Sequence, residues 1–199
     1  MNIRRLLPLL FLVAAAACDN DEEPWPSLIT EMADILTDEE GTLCQLHTDS
    51  EVNYQLTNPV AGYAPSVAYR ILADYTDEGN GRATLYQMTP AYILRDSTAC
   101  GQTHPTGVLS VWRASRYINL RLTPKTKGGQ MYLGFLVDSI RPGRVFLSLH
   151  HNQHSDPLAY TREVYASLPV DSIPGLQAGD SVSLTVRTFD GQKTWCFKQ

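Results

Sequence analysis

The stretch RVFLSLHHNQHSDPLAY, residues 144–160, packs three of the chain's five histidines and an aspartate into the seven positions from His150 to Asp156. On a helix, His150 and His154 stand four apart and would share one face, as the zinc ligands of an HExxH helix do. However, Val145, Leu147 and Leu149 alternate with Phe146, Ser148 and His150, which is the period of a half-buried strand. No glutamate follows His150 in the second position of that motif. On a strand His150 and His151 point to opposite faces, so at most one of them can join His154 and Asp156 on a shared ion. The metal candidates therefore narrow to His150, His154 and Asp156. The first expectation is an exposed polar hairpin tip without metal or cofactor, with the Asp156-Pro157 step starting a turn toward Tyr160.

The same alternation recurs along the chain. Ile118, Leu120 and Leu122 alternate with Asn119, Arg121 and Thr123, and Val182, Leu184 and Val186 with Ser183, Thr185 and Arg187. No window past Pro24 sustains a helical period, and turn signals recur at KGGQ (127–130), RPGR (141–144), PGLQAGD (174–180) and FDGQ (189–192). The chain reads as all-β. From Gly107 onward about seven close-set strands with one apolar face predict an antiparallel β-sandwich. In the first half, strands are expected at 28–37, 42–56, 69–75, 82–88 and 91–94, with DEEG and TDEGNG as hairpin turns and NPVAGYAPS (58–66) as a loop. Five strands with a long second connection suggest an OB-like barrel. The aperiodic polar run 95–106 marks the boundary, giving an OB-like barrel at 28–100 and a sandwich at 101–199.

The N-terminus has Arg4 and Arg5 and then an apolar run, Leu6–Ala17, too short for a bilayer core of about 20 residues. Ala15, Ala16 and Ala17 end directly before Cys18, the order favoured by lipoprotein signal peptidase. The expectation is a signal peptide at 1–17 and diacylglycerol on the Cys18 thiol, so that a membrane is reached through lipid rather than helix. The competing reading is a secreted protein with Cys18 as a free thiol. Residues 18–27, with DNDEE followed by PWP, form an acidic tether. The acidic run resembles the export tag of anaerobes rich in surface lipoproteins, which points to the outer membrane and admits its outer face.

Loss of residues 1–17, which hold two arginines and no acid, takes the formal charge from −5 to −7. Nucleic acid is thereby disfavoured as a partner. Beyond Cys18, Cys44, Cys100 and Cys196 form an odd set that allows at most one internal disulfide.

The chain resembles the NigD-like family of outer-membrane lipoproteins. The resemblance rests on AAAAC-DNDEE, RILADY, VWRASRYINL, LSLHHNQHSD and YASLPV. It implies an OB-like domain followed by a β-sandwich, carries over no catalytic residues and, through the family's bacteriocin-associated name, hints at immunity.

Catalytic signatures are thin. No GxSxG surrounds Ser110, Ser148 or Ser167, Cys44 and Cys196 read as strand fillers, and no P-loop or dinucleotide fingerprint is present. Trp112, Tyr117, Tyr132, Tyr160, Tyr165 and Trp195 could stack on a sugar or a protein, although core packing is the commoner fate. The expected function is a non-enzymatic envelope lipoprotein that binds an envelope protein or a glycan. The alternatives are a metal-dependent hydrolase centred on His150–Asp156 and a bacteriocin immunity-like protein.

Overall fold

The computed structural model describes residues 27–97, 103–114 and 116–199. Cys18, its acidic neighbours and Cys100 lie outside the described residues; Cys44 and Cys196 are free thiols. The described chain is almost wholly strand. In the first half β1 (Ile29–Thr37), β2 (Leu43–Thr48), β3 (Asn53–Val60), β4 (Ala68–Gly79) and β5 (Arg82–Ile93) pair into a ring. β1 lies between β2 and β4, both antiparallel to it, and β5 pairs antiparallel with β4. A short parallel seam, Gln55 with Arg82 and Leu56 with Ala83, closes β3 onto β5. The turn between β4 and β5 is Asn80-Gly81, at φ 54° and 70°, the paired left-handed conformation that matches the twist of a two-residue hairpin. Ala33, Ile35, Leu43, Leu46, Ile71, Ala73 and Tyr75 fill the ring.

The second half adds β6 (Gly107–Ala114), β7 (Tyr117–Thr123), β8 (Lys125–Thr126), β9 (Tyr132–Arg141), β10 (Arg144–Asn152), β11 (Tyr160–Thr161), β12 (Val164–Pro169), β13 (Ser181–Thr188) and β14 (Gly191–Lys198). β12, β7 and β6 extend the first sheet beyond β5, while β14-β13-β10-β9 form an opposing sheet. Inward residues of both sheets, among them Ile118, Leu120, Phe135, Leu147, Leu149, Ala166, Leu168 and Leu184, make one apolar core. The chain is thus a β-sandwich preceded by a five-stranded ring, with β5 belonging to both. Leu94–Ser97 crosses between the layers: the Leu94 amide donates to Ser167 O, and Ser97 N donates to Phe135 O.

Several expectations change in detail. The strand expected at 42–56 is two, β2 and β3, divided by a turn at Asp49–Val52 in which Glu51 adopts φ 66°. The loop expected from residue 58 starts after Val60. The separate strand expected at 91–94 is the far end of β5. Pro90, which has no N–H to donate, is the last residue of β5 to pair with β4, and there the strand changes partner and joins β12. The sandwich is not uniformly antiparallel, since β10 with β13 and β5 with β12 run parallel. β12 lies in the other sheet, so the chain leaves β10, crosses and returns to run β13 in the same direction.

The loop between β3 and β4 is fastened beside the β1–β2 turn. Tyr63 N donates to Gly41 O at 3.0 Å, and Thr37 Oγ1 donates to Ala64 O at 2.7 Å. Gly41 sits at φ 79°, and a Cβ there would lie 2.3 Å from Tyr63 O. Gly41→Ala should therefore combine the left-handed penalty with a backbone clash and cost about 3 kcal/mol in urea unfolding. Gly143→Ala, at φ 77° with open space around the added carbon, should cost only about 1 kcal/mol.

Candidate functional site

The histidine segment lies at the end of β10, and the strand period separates its members. His151 has the parity of Val145, Leu147 and Leu149 and faces His104, with ring centroids 6.4 Å apart. His150 faces the other way, edge-on to Tyr132 at 5.7 Å. The exposed tip expected here is overturned for both: His150 is 3% exposed and His151 1%, because each ring is covered by an aromatic neighbour. His154, at φ 52° and exposed, shares an open recess with Gln153, Ser155 and Asp156. Asp156 is already engaged, accepting from Thr126 Oγ1 and from Lys127 N at 3.1 Å, and the Thr126 bond holds its carboxyl below the usual range. The fold therefore brings His154 and Asp156 together but not His150. Among the described residues no three His, Cys, Asp or Glu side chains are grouped so as to hold a metal ion.

Three buried polar atoms here lack hydrogen-bond partners: His150 Nδ1, His151 Nε2 and Gln153 Oε1. His151 Nδ1 lies 3.2 Å from His104 O, so as the donor it would leave Nε2 with its lone pair in an apolar setting. Burial depresses the His151 pKa to about 4 from 6.5.

The expected aromatics are divided between core and surface. Trp195 packs against the sandwich core, whereas Tyr132 and Tyr160 are exposed. Tyr165 donates to Glu163 at 2.5 Å. Tyr117 lies against the Arg70 guanidinium, 3.9 Å from the ring centroid. No hydrogen bond joins a serine or cysteine side chain to a histidine among the described residues.

The most developed polar constellation was not foreseen from the sequence. Arg70 of β4 has a fully buried side chain. Its Nε donates to Ser167 Oγ at 2.9 Å, Nη1 to Asp34 Oδ1 at 3.4 Å, and Nη2 to Asp49 Oδ2 at 2.7 Å and Asn119 Oδ1 at 3.0 Å. The guanidinium carbon lies 3.9 Å from the centroid of the Tyr117 ring. Asn119 Nδ2 donates to Asp49 at 2.7 Å and Ser167 Oγ to Asn119 Oδ1 at 2.7 Å. Asp34 also accepts from Arg116 at 3.0 Å and from the Tyr117 hydroxyl at 3.0 Å. Burial, and then the Asp34 charge, raise the Tyr117 pKa. Arg70, Asp34 and Asp49 come from the ring; Arg116, Tyr117, Asn119 and Ser167 come from the sandwich. With two cations against two carboxylates and the donors engaged, the cluster works as a lock between the two halves.

Beside the lock opens a cleft of about 450 Å³. It lies where β5 peels away from β4, lined by Tyr69 and Ile71 on one side and Pro90, Tyr92 and Ile93 on the other, with Tyr63 above and Arg95 at the rim. Tyr63 and Tyr69 meet edge to face at 5.7 Å. Among the described residues no acidic side chain lines it.

Three variants test this geometry. Arg70→Ala leaves Asp49, whose side chain is 9% exposed, without its cation and Asp34 with Arg116 alone, and should cost about 3 to 5 kcal/mol in chemical unfolding. Arg116→Ala, whose side chain is 62% exposed, should cost less than about 1 kcal/mol. For His151 the folded pKa is the depressed one, so its stabilisation is complete above pH 6.5 and is lost as the pH falls toward 4. Unfolding free energies at pH 7 and pH 4 should differ by about 3 kcal/mol more in the native protein than in His151→Asn, at about 1.4 kcal/mol per pH unit.

A family model described as the NigD-like C-terminal beta sandwich domain matches residues 92–199, more than half of the chain. Among solved structures, a NigD-like immunity protein from Bacteroides caccae is 20% identical with a TM-score of 0.67, over 88% of this chain and 93% of that one. A protein described as toxin related from Parabacteroides distasonis is 14% identical with a TM-score of 0.70, over 86% and 93%. A candidate lipoprotein from Bacteroides fragilis is 10% identical with a TM-score of 0.58, over 86% and 96%. At these identities the likeness is one of fold. No curated protein matches the chain. The family match covers β6 to β14 together with the end of β5, and through it the chain belongs to the NigD-like family.

Proposed function

We propose that the protein is a non-enzymatic lipoprotein of the cell envelope, anchored in the outer membrane through lipid on Cys18, that binds an envelope protein or a glycan. The cleft between β4 and β5 carries this reading. It joins apolar and aromatic surface to a few polar groups at the junction of two packed units, where binding sites are commonly built. The hydrolase alternative is less well supported, because His150 lies apart from His154 and the Asp156 carboxylate is held by Thr126 and Lys127. A description of one fold neighbour as a candidate lipoprotein agrees with the anchor. Another is described as an immunity protein, which favours a second reading in which the same cleft intercepts a toxin.

The anchor is tested by feeding cells an alkyne-tagged palmitate with and without globomycin. The expected result is a labelled mature protein, an accumulating precursor under globomycin, and loss of label and of membrane pelleting in Cys18→Ala. Label that survives Cys18→Ala, or processing indifferent to globomycin, would refute it.

A further inference from the structure

The cleft has a backbone feature that its side chains do not reveal. The β4–β5 ladder runs from the Asn80-Gly81 turn only as far as Ile71 and Pro90. Beyond that point Ala68, Tyr69 and Arg70 pair with Leu36, Ile35 and Asp34 of β1 on one side only. Across the fork, Ala91, Tyr92 and Ile93 pair with Tyr165, Ala166 and Ser167 of β12, again on one side only. Two strand edges therefore face each other across the cleft without being joined. Pro90 removes a donor from the β5 side of the fork, and Arg70 beside it is buried, so the edge at Ala68 and Tyr69 is the better template for added pairing.

We infer that the cleft receives an extended, acidic segment of a partner polypeptide, which adds to the free edge of β4 as a further strand. The inference rests on the binding-module reading above and narrows it. Main-chain pairing along an open edge supplies affinity that is largely indifferent to sequence, while pockets for alternate side chains select among partners. Tyr63, Tyr69, Tyr92 and Ile93 supply such apolar surface. Selection for acid comes from Arg95, which is exposed at the rim and whose guanidinium has no ion pair among the described residues, in a lining that contains no carboxylate. Arg70, the other cation of the lining, is committed to the lock. The whole chain carries a formal charge of −5, so it offers an acidic peptide no general attraction. Any preference for acid must then be local to the rim.

The test uses the full lipidated protein in detergent micelles and fluorescence anisotropy with three labelled hexapeptides. One alternates Thr and Val around a single Glu, the second has Gln in place of that Glu, and the third is the first with alternate backbone nitrogens methylated. The Glu peptide is expected to bind, about tenfold more tightly than the Gln peptide. Methylation should weaken it at least tenfold, and Arg95→Gln should erase the Glu preference while leaving the tryptophan emission of the folded protein unchanged. Equal binding of the methylated and plain peptides, or equal binding of the Glu and Gln peptides, would overturn the inference. A soluble oligosaccharide retained by the native protein and not by Tyr92→Ala, with no peptide bound, would overturn it too while leaving the binding-module reading intact. Failure of both kinds of probe would overturn both.

Discussion

Everything in the arrangement of the two halves turns on one buried cation. The ring and the sandwich have separate apolar cores that share no buried residue. They are joined by the passage of β5 from one to the other, with three residue pairs to β12, and by the cluster centred on Arg70, to which the bonds of Arg116 and Tyr117 to Asp34 and of Asn119 to Asp49 also belong. A guanidinium with no exposed surface is tolerable only if its charge and donors are met within the protein. Here two carboxylates from the ring, and a serine, an amide and an aromatic ring from the sandwich, meet them together. Neither half could bury Arg70 alone, so the cation makes their relative placement specific in a way that apolar contact would not.

The lock also explains which part of the fold was legible in the sequence. Alternation placed the inward faces of β7, β10 and β13 correctly, because each has an unbroken row of Leu, Ile or Val. It treated the opposite face of β7 as wet, and Asn119 is fully buried there, since the ring covers that face. Ser167 of β12 is hidden for the same reason. A polar residue facing solvent and a polar residue facing a buried arginine leave the same mark in a period-two pattern. The signal that could have found the site was of another kind: RILADY, VWRASRYINL and YASLPV, the stretches that carry the family resemblance, supply Arg70, then Arg116, Tyr117 and Asn119, and then Ser167. Single polar letters set in apolar strands were the clue, and only their meeting in space gave them meaning.

The histidine segment teaches the reverse lesson. Composition drew attention to it, and the strand period correctly divided His150 from His151. The burial of both rings was not legible, because His104 and Tyr132, which cover them, come from a distant connector and from the neighbouring strand. The cleft was invisible for a third reason. It arises from a change of partner along β5 at Pro90, and the sequence signals around Pro90 suggested two strands where there is one that serves two sheets. That strand both binds the halves together and, by leaving β4, opens the space between them.

The claim that the Arg70 cluster makes ring and sandwich one cooperative unit is tested most directly by urea unfolding followed with two probes. Of the chain's three tryptophans, Trp112 and Trp195 lie in the sandwich, so in a Trp25→Phe background the emission reports that half, whereas far-ultraviolet circular dichroism reports both. The account predicts coincident transitions for the native protein and separated ones for Arg70→Met, with the dichroism change beginning first as the ring is released. Coincident transitions in Arg70→Met at the native midpoint would contradict it.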